Sequence, residues 1–189
     1  MSASSTSSAS LTLSISTPVW AHWARIAVAQ TALARQAASL APAGSILDEM
    51  HPAMIAITAV AHTLDGLYDQ LRFVAPVSTG RPKRQRRILE TLKCGFVLGR
   101  KGQLWLPDFD ALFALRDPAV HPQVKQSPPV THPCWGNVAA EYVEYSADSA
   151  EWALGLLRDV LRTCVDNPRT STRGWAEVQK QVIVREIGA

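Results

Sequence analysis

The sequence predicts an all-α protein, an antiparallel helical bundle preceded by a disordered N-terminal tail. Apolar residues recur at three- and four-residue spacing in several separate segments, the period of a helix with one buried face. Strand and helix signals never alternate as a parallel sheet would require. Hydrophobic residues make up 47% of the chain and charged residues 19%, a balance that collapses into a core rather than staying extended. At 189 residues the chain is long enough to bury a sizeable core within one domain.

Residues 1–17 are rich in Ser and Thr and read as a mobile tail. The helical bundle is expected over residues 18–165, and residues 166–189 read as a helical extension packed on it. Pro18 suits a helix start, and Trp23, Ile26, Gln30, Leu33, Ala37 and Leu40 mark an inward face before Pro42 and Gly44 stop it. In the second helix Met54, Ile57, Ala61, Leu64, Tyr68 and Leu71 step by three and four without interruption, the seam of a bundle helix. His51, before Pro52, reads as a cap of that helix and His62 as a residue on its flank. A third helix is expected from about Lys83 to Leu98, with Ile88, Leu92 and Phe96 inward and Gly99 as its stop. A fourth starts near Pro107 and carries Phe109, Leu112 and Phe113 towards Arg116. A fifth spans about Ser146 to Val165 with Ala153, Leu156, Leu157, Val160, Leu161 and Cys164 as a broad stripe. Only Gln181 to Ile187 fits a strand, and Trp175, Val178 and Val182 fit a last helix equally well.

The fourth helix ends in the most chemically informative segment of the chain, Arg116-Asp117-Pro118-Ala119-Val120-His121-Pro122. Arginine is the planar cation that grips phosphate oxygens in pairs. Histidine takes and gives protons near neutral pH. Five residues apart on an unbroken helix, the two would project about 140° from each other. Proline disfavours helical geometry in the residue before it, so a kink is expected, with Asp117 as an N-cap, Pro118 opening a new turn and His121 closing it.

This segment resembles the signature of the HEPN superfamily of small helical domains: Arg, four to six intervening residues and then His, with Asn, Asp or His commonly the first of those intervening residues. Here the motif comprises Arg116, Asp117 and His121 with the four-residue spacing. The resemblance implies a HEPN-like bundle that cleaves RNA without metal or other cofactor. The RNA's own 2′-hydroxyl would attack the adjacent phosphorus and leave a 2′,3′-cyclic phosphate. His121 would serve as general base or acid, Arg116 would stabilise the developing phosphorane charge, and Asp117 would orient the pair. It also implies a homodimer that brings two motifs into one cleft. The partners to expect are therefore RNA, a second copy of the chain, and an antitoxin or regulatory protein. The alternative is a non-catalytic HEPN-like module that binds RNA, a nucleotide or a protein. A purely structural helical protein, in which Arg116 and Asp117 only fix the kink, is a further reading.

Positive charge is concentrated in Arg81, Lys83, Arg84, Arg86 and Arg87; without them the formal net charge falls from +3 to −2. Such a cluster is an electrostatic footprint for RNA, or else a solvated face. It opposes the dipole at a helix start, which favours anions. The loop from Pro122 to about Tyr145 is long and proline-rich, and either lines a site or is a surface excursion; its Trp135 is placed to stack a base. Trp20, Trp23, Trp105 and Trp152 read as core anchors. Cys94, Cys134 and Cys164 form no disulfide framework, and His51, His62 and the His132-Pro133-Cys134 run lack the spacing of a zinc site. No apolar run is long enough to span a bilayer, and residues 1–17 lack the basic start and continuous apolar block of a secretory signal, so a cytoplasmic protein is expected.

Overall fold

Alanine, not the large aliphatic residues, lines the buried face of the first helix. The computed structural model describes residues 18–75, 83–121 and 128–188. Within them α1 (Val19–Ser39) starts at Pro18, whose extended backbone suits the position before a helix. Its inward residues are Trp20, Ala21, Ala24, Ala27, Thr31 and Ala34. Ile26, Leu33 and Leu40, expected inward, are instead exposed. The physical reason lies in the neighbour. Helix α2 (Ile46–Leu71) presents Ala53, Ala56 and Ala59, all fully buried, and makes the most extensive contact of any pair of described elements with α1. Small side chains let two backbones approach closely, and a Leu on that face would hold them apart. Trp20 at the start of α1 lies against Gly66 near the end of α2, where an added Cβ would stand 3.1 Å from the Trp20 Cβ.

The expected seam of α2 is largely inward: Ile57, Ala61, Leu64 and Leu71 are fully buried, with Met54 and Tyr68 partly so. The helix begins earlier than expected. Ser45 caps it, its Oγ accepting from the Leu47 N–H at 3.2 Å while the Asp48 carboxylate accepts from the Ser45 N–H at 3.4 Å. His51 is therefore an exposed residue inside the helix and not its cap, and Pro52 also lies within it.

Helix α3 (Arg84–Gly95) is shorter than expected. Phe96 is extended and buried, and the chain there is tied to the segment after α6 (Ala147–Asp166): Val97 N–H donates to Asn167 C=O, and Arg169 N–H to Gly95 C=O, both at 2.9 Å. A Cβ at Gly95 would come within 2.9 Å of the Thr172 side chain, so this crossing needs a residue without one. Helix α4 (Lys101–Val120) starts a turn and more before Pro107 and runs through both Pro107 and Pro118. Its Trp105, Phe109, Leu112 and Phe113 enter the core. Helix α6 follows its cap Ser146, and Ala153, Leu156, Leu157, Val160, Leu161 and Cys164 are all buried. Burial pushes the Cys164 thiol far above its usual range, which keeps it protonated and inert.

The chain is mostly helical without being all-α. Val130–His132 (β1) and Gly136–Val138 (β2) pair as an antiparallel hairpin inside the segment read as an irregular loop. The pattern is short, but its chemistry is clear: β-branched Val130, Thr131 and Val138 flank a turn that Gly136 completes at φ 75°. A short helix α5 (Ala140–Glu144) then leads to Tyr145, whose hydroxyl donates to the Leu115 carbonyl of α4 at 2.7 Å.

The last element, α7 (Arg173–Ile187), is a helix throughout, including the stretch that also fitted a strand. It packs on α1 and α6 through Ala176, Ile183 and Ile187, while Val178 is exposed. Glu186 fixes it: Arg25 of α1 donates Nε–H and NH2 bonds of 2.6 and 2.9 Å to its two oxygens. That paired hydrogen bond, with help from Arg185, holds the Glu186 carboxyl down to about 2. The tail expected over residues 1–17 lies outside the described residues.

The alanine face makes a direct prediction. Ala27→Leu should destabilise the fold by about 1–3 kcal/mol through overpacking, whereas Leu33→Ala should change stability by no more than about 0.5 kcal/mol. Urea unfolding of both variants checks this. A large loss from Leu33→Ala with none from Ala27→Leu would place the core face where the hydropathy pattern does.

Candidate functional site

Arg116 and His121 reach one cavity without the kink that the sequence suggests. Helix α4 continues through Asp117 and Pro118, so Asp117 is not an N-cap; its carbonyl accepts the His121 N–H at 2.9 Å, an ordinary helical bond. Proline at 118 removes one N–H, which would have bonded the carbonyl of Ala114, and the rest of the last turn survives. His121 then leaves helical geometry, at φ −131° and ψ 70°. Arg116, Asp117, Pro118 and His121 line an open cavity of about 360 Å³.

The two chemical groups sit differently in it. His121 is exposed, while the Arg116 side chain is only 19% exposed. Asp117 Oδ1 accepts from Arg116 NH1 at 3.1 Å. Arg116 Nε is buried with no hydrogen-bond partner among the described residues. The arrangement can hold an oxyanion on the guanidinium fork with an imidazole at the cavity edge, a geometry suited to a phosphate ester.

Within the influence of the Arg116 charge lie His62, read from the sequence as a flank residue, and Asp65, which that reading did not single out. His62 and Asp65 stand three apart on α2 and so share a face. The His62 ring packs on Trp23 of α1, centroids 4.7 Å apart, which makes it more than a flank residue. Burial lowers the His62 pKa, and the nearby positive charges of Arg116 and Arg84 lower it further. The Asp65 side chain is 7% exposed and takes the Arg84 Nε–H on Oδ1, while Oδ2 has no partner among the described residues. Burial raises the Asp65 pKa and the charges of Arg84 and Arg116 oppose that rise. The only sequence signal was the His-x-x-Asp spacing inside an apolar helix, and it carries no distinctive chemistry of its own.

The basic cluster divides accordingly. Arg81 lies outside the described residues. Lys83, Arg86 and Arg87 are exposed at the start of α3, where no acidic residue offsets them in the first turn. Arg84 differs: it spends its charge on buried Asp65 and anchors α3 to α2.

Trp135 is not a free ring for stacking. Its Nε1–H donates to Glu49 Oε2 at 2.6 Å, which ties the half-buried indole to α2. Glu49 is buried and also accepts the Ala147 N–H at 2.8 Å, with His132 Nε2 3.6 Å away. His132 Nδ1 accepts the Cys134 N–H at 3.1 Å, which closes the turn of the hairpin. Among the described residues no three His, Cys, Asp or Glu side chains gather as a metal site. None of the described helices is long and apolar enough to cross a membrane. No family model, no curated protein and no solved structure matches the chain.

The charge acting on His62 is measurable. Its imidazole should titrate by NMR below the ordinary 6.5, and Arg116→Ala should raise that midpoint. A midpoint unmoved by Arg116→Ala would mean that the guanidinium does not face the ring.

Proposed function

We propose that this chain is a HEPN-like antiparallel bundle acting as a metal-independent endoribonuclease through Arg116 and His121. The observation that carries the reading is their convergence on one open cavity, with Asp117 bound to the guanidinium. The proposed reaction is transesterification. His121 removes the proton of a ribose 2′-hydroxyl, the oxygen attacks phosphorus, and the 5′-oxygen leaves with a proton from an acid. Arg116 binds the non-bridging oxygens, whose charge grows in the transition state. Lys83, Arg86 and Arg87, and Arg81 with them, would guide the polyanion towards the site.

One Arg and one His per chain provide a base or an acid but not both. A two-fold dimer with the segment from Arg116 to His121 at or near its axis supplies the second imidazole. The exposed apolar residues Ile26, Leu33 and Leu40 on α1 are of the kind a homodimer buries. An antitoxin or regulatory protein would complete the set of partners. The second reading is a non-catalytic module that binds RNA, a nucleotide or a protein. It is favoured by the unequal placement of the pair, with Arg116 turned inward beneath an exposed His121.

Labelled RNA incubated with purified protein in excess chelator decides between them. Cleavage with a 2′,3′-cyclic phosphate product is expected. His121→Ala should slow it by about 10²-fold or more, and Arg116→Ala comparably, since an oxyanion clamp is worth roughly 3 kcal/mol. Equal cleavage by the wild type and His121→Ala would assign the activity elsewhere, and RNA binding without cleavage would establish the module.

The assembly is checked separately. Light scattering at micromolar concentration should give twice the monomer mass, and a monomer alone would remove the shared cleft.

A further inference from the structure

Two buried groups between α2 and α4 each lack one partner. Asp65 gives Oδ1 to Arg84, which fixes the plane of the carboxylate and leaves Oδ2 buried and unbonded. Arg116 has NH1 on Asp117 and its Nε buried and unbonded. One is an acceptor without a donor and the other a donor without an acceptor. The helices that carry them pack against each other, and the positive charge of Arg116 acts on Asp65 in the direction opposite to burial. Polar atoms buried in this way are normally satisfied, and those that are not mark a group held ready for a partner.

We propose that Asp65 is the positioning residue of Arg116, its Oδ2 receiving the Arg116 Nε–H so that the guanidinium fork is turned towards the cavity and its phosphate ligand. The two groups are not bonded to each other in this structure, so the pairing calls for a change of Arg116 rotamer. The guanidinium is then held at two corners, by Asp117 at NH1 and by Asp65 at Nε, and NH2 is left for an oxyanion. Arg84 has a part in this too. By occupying Oδ1 it prevents Arg116 from forming a two-pronged pair with Asp65, which would withdraw both prongs from the cavity. The proposal rests on the reading above for its kinetic consequence only, because the pairing itself is a property of the folded chain.

Nitrogen-15 NMR of arginine Nε–H groups tests it, with the free protein and with inorganic phosphate as the probe. The Arg116 signal is identified by its loss in Arg116→Lys. It should be protected from exchange with water in one or both samples, exposed to exchange in Asp65→Asn, and still protected in Arg84→Gln, where the carboxylate remains. Absence of protection in both wild-type samples overturns the proposal, as does protection that survives Asp65→Asn. Should Asp65→Asn fail to fold, the double variant Asp65→Leu/Arg84→Leu removes the ion pair and every acceptor at position 65, and gives the same reading. If the chain cleaves RNA, Asp65→Asn should lower kcat by roughly 10- to 100-fold with KM little changed, the effect of a misplaced group; an unchanged kcat overturns the positioning role. A chain that cleaves no RNA removes the nuclease reading and leaves the Nε–H result to decide the pairing.

Discussion

Helix α2 carries two buried carboxylates, Glu49 and Asp65, and holds them because α1 lies so close along it. Alanine on one helix against alanine on the other, with Gly66 under Trp20, brings the backbones together and excludes water from the groove between them. That contact fixes α2 in place. Helices α3, α4 and α6 also pack on α2, and its buried carboxylates tie it to the hairpin, to the start of α6 and to the start of α3. A bulkier α1 would shift the anchor for the hairpin, for α3 and for the wall behind Arg116 together.

A buried carboxylate is costly unless donors surround it. Glu49 meets that condition by gathering groups distant in sequence, the Trp135 indole from the hairpin and the first backbone N–H of α6. The second of these also places an anion at a helix N-terminus, where the dipole favours it. Asp65 meets the condition only in part, through Arg84 at the start of α3. Where the structure is satisfied, the carboxylate acts as a fastener. Where it is not, at Asp65, one carboxylate oxygen is buried without a donor among the described residues.

How much of this was legible in the sequence follows from where large apolar residues fall. In α2 and α6 they coincide with the buried face, so periodicity finds both helices and their cores. In α1 they do not: Ile26, Leu33 and Leu40 outweigh alanine in any hydropathy pattern, yet backbone proximity selects the smaller residue. The kink expected at Pro118 fails for a related reason. Proline's local preference costs one hydrogen bond near a helix end, and packing along α4 together with the Tyr145 bond to Leu115 outweighs it. The hairpin at 130–138 was hidden by Pro128, Pro129 and Pro133, which suggest loop, while its two strands are too short to show alternation. At the candidate site, Arg116, Asp117 and His121 were legible because they fall together in sequence. His62, Asp65 and Trp23 come from other helices, and only the tertiary fold gathers them.

Pro118 has a further effect on how long His121 stays in place. The Ala114 carbonyl receives no N–H from the residue four places on, so the final turn of α4 has one fewer internal bond than a regular helical turn. Local opening of a helix end requires only that the few bonds beyond the opening point break together. Opening from Pro118 onward therefore takes less free energy than fraying a regular helix end by the same length. Arg116 lies on the retained side of that point, packed against α2, and His121 on the released side. The imidazole thus belongs to a local equilibrium that the guanidinium does not share, and anything that binds both residues also closes the helix.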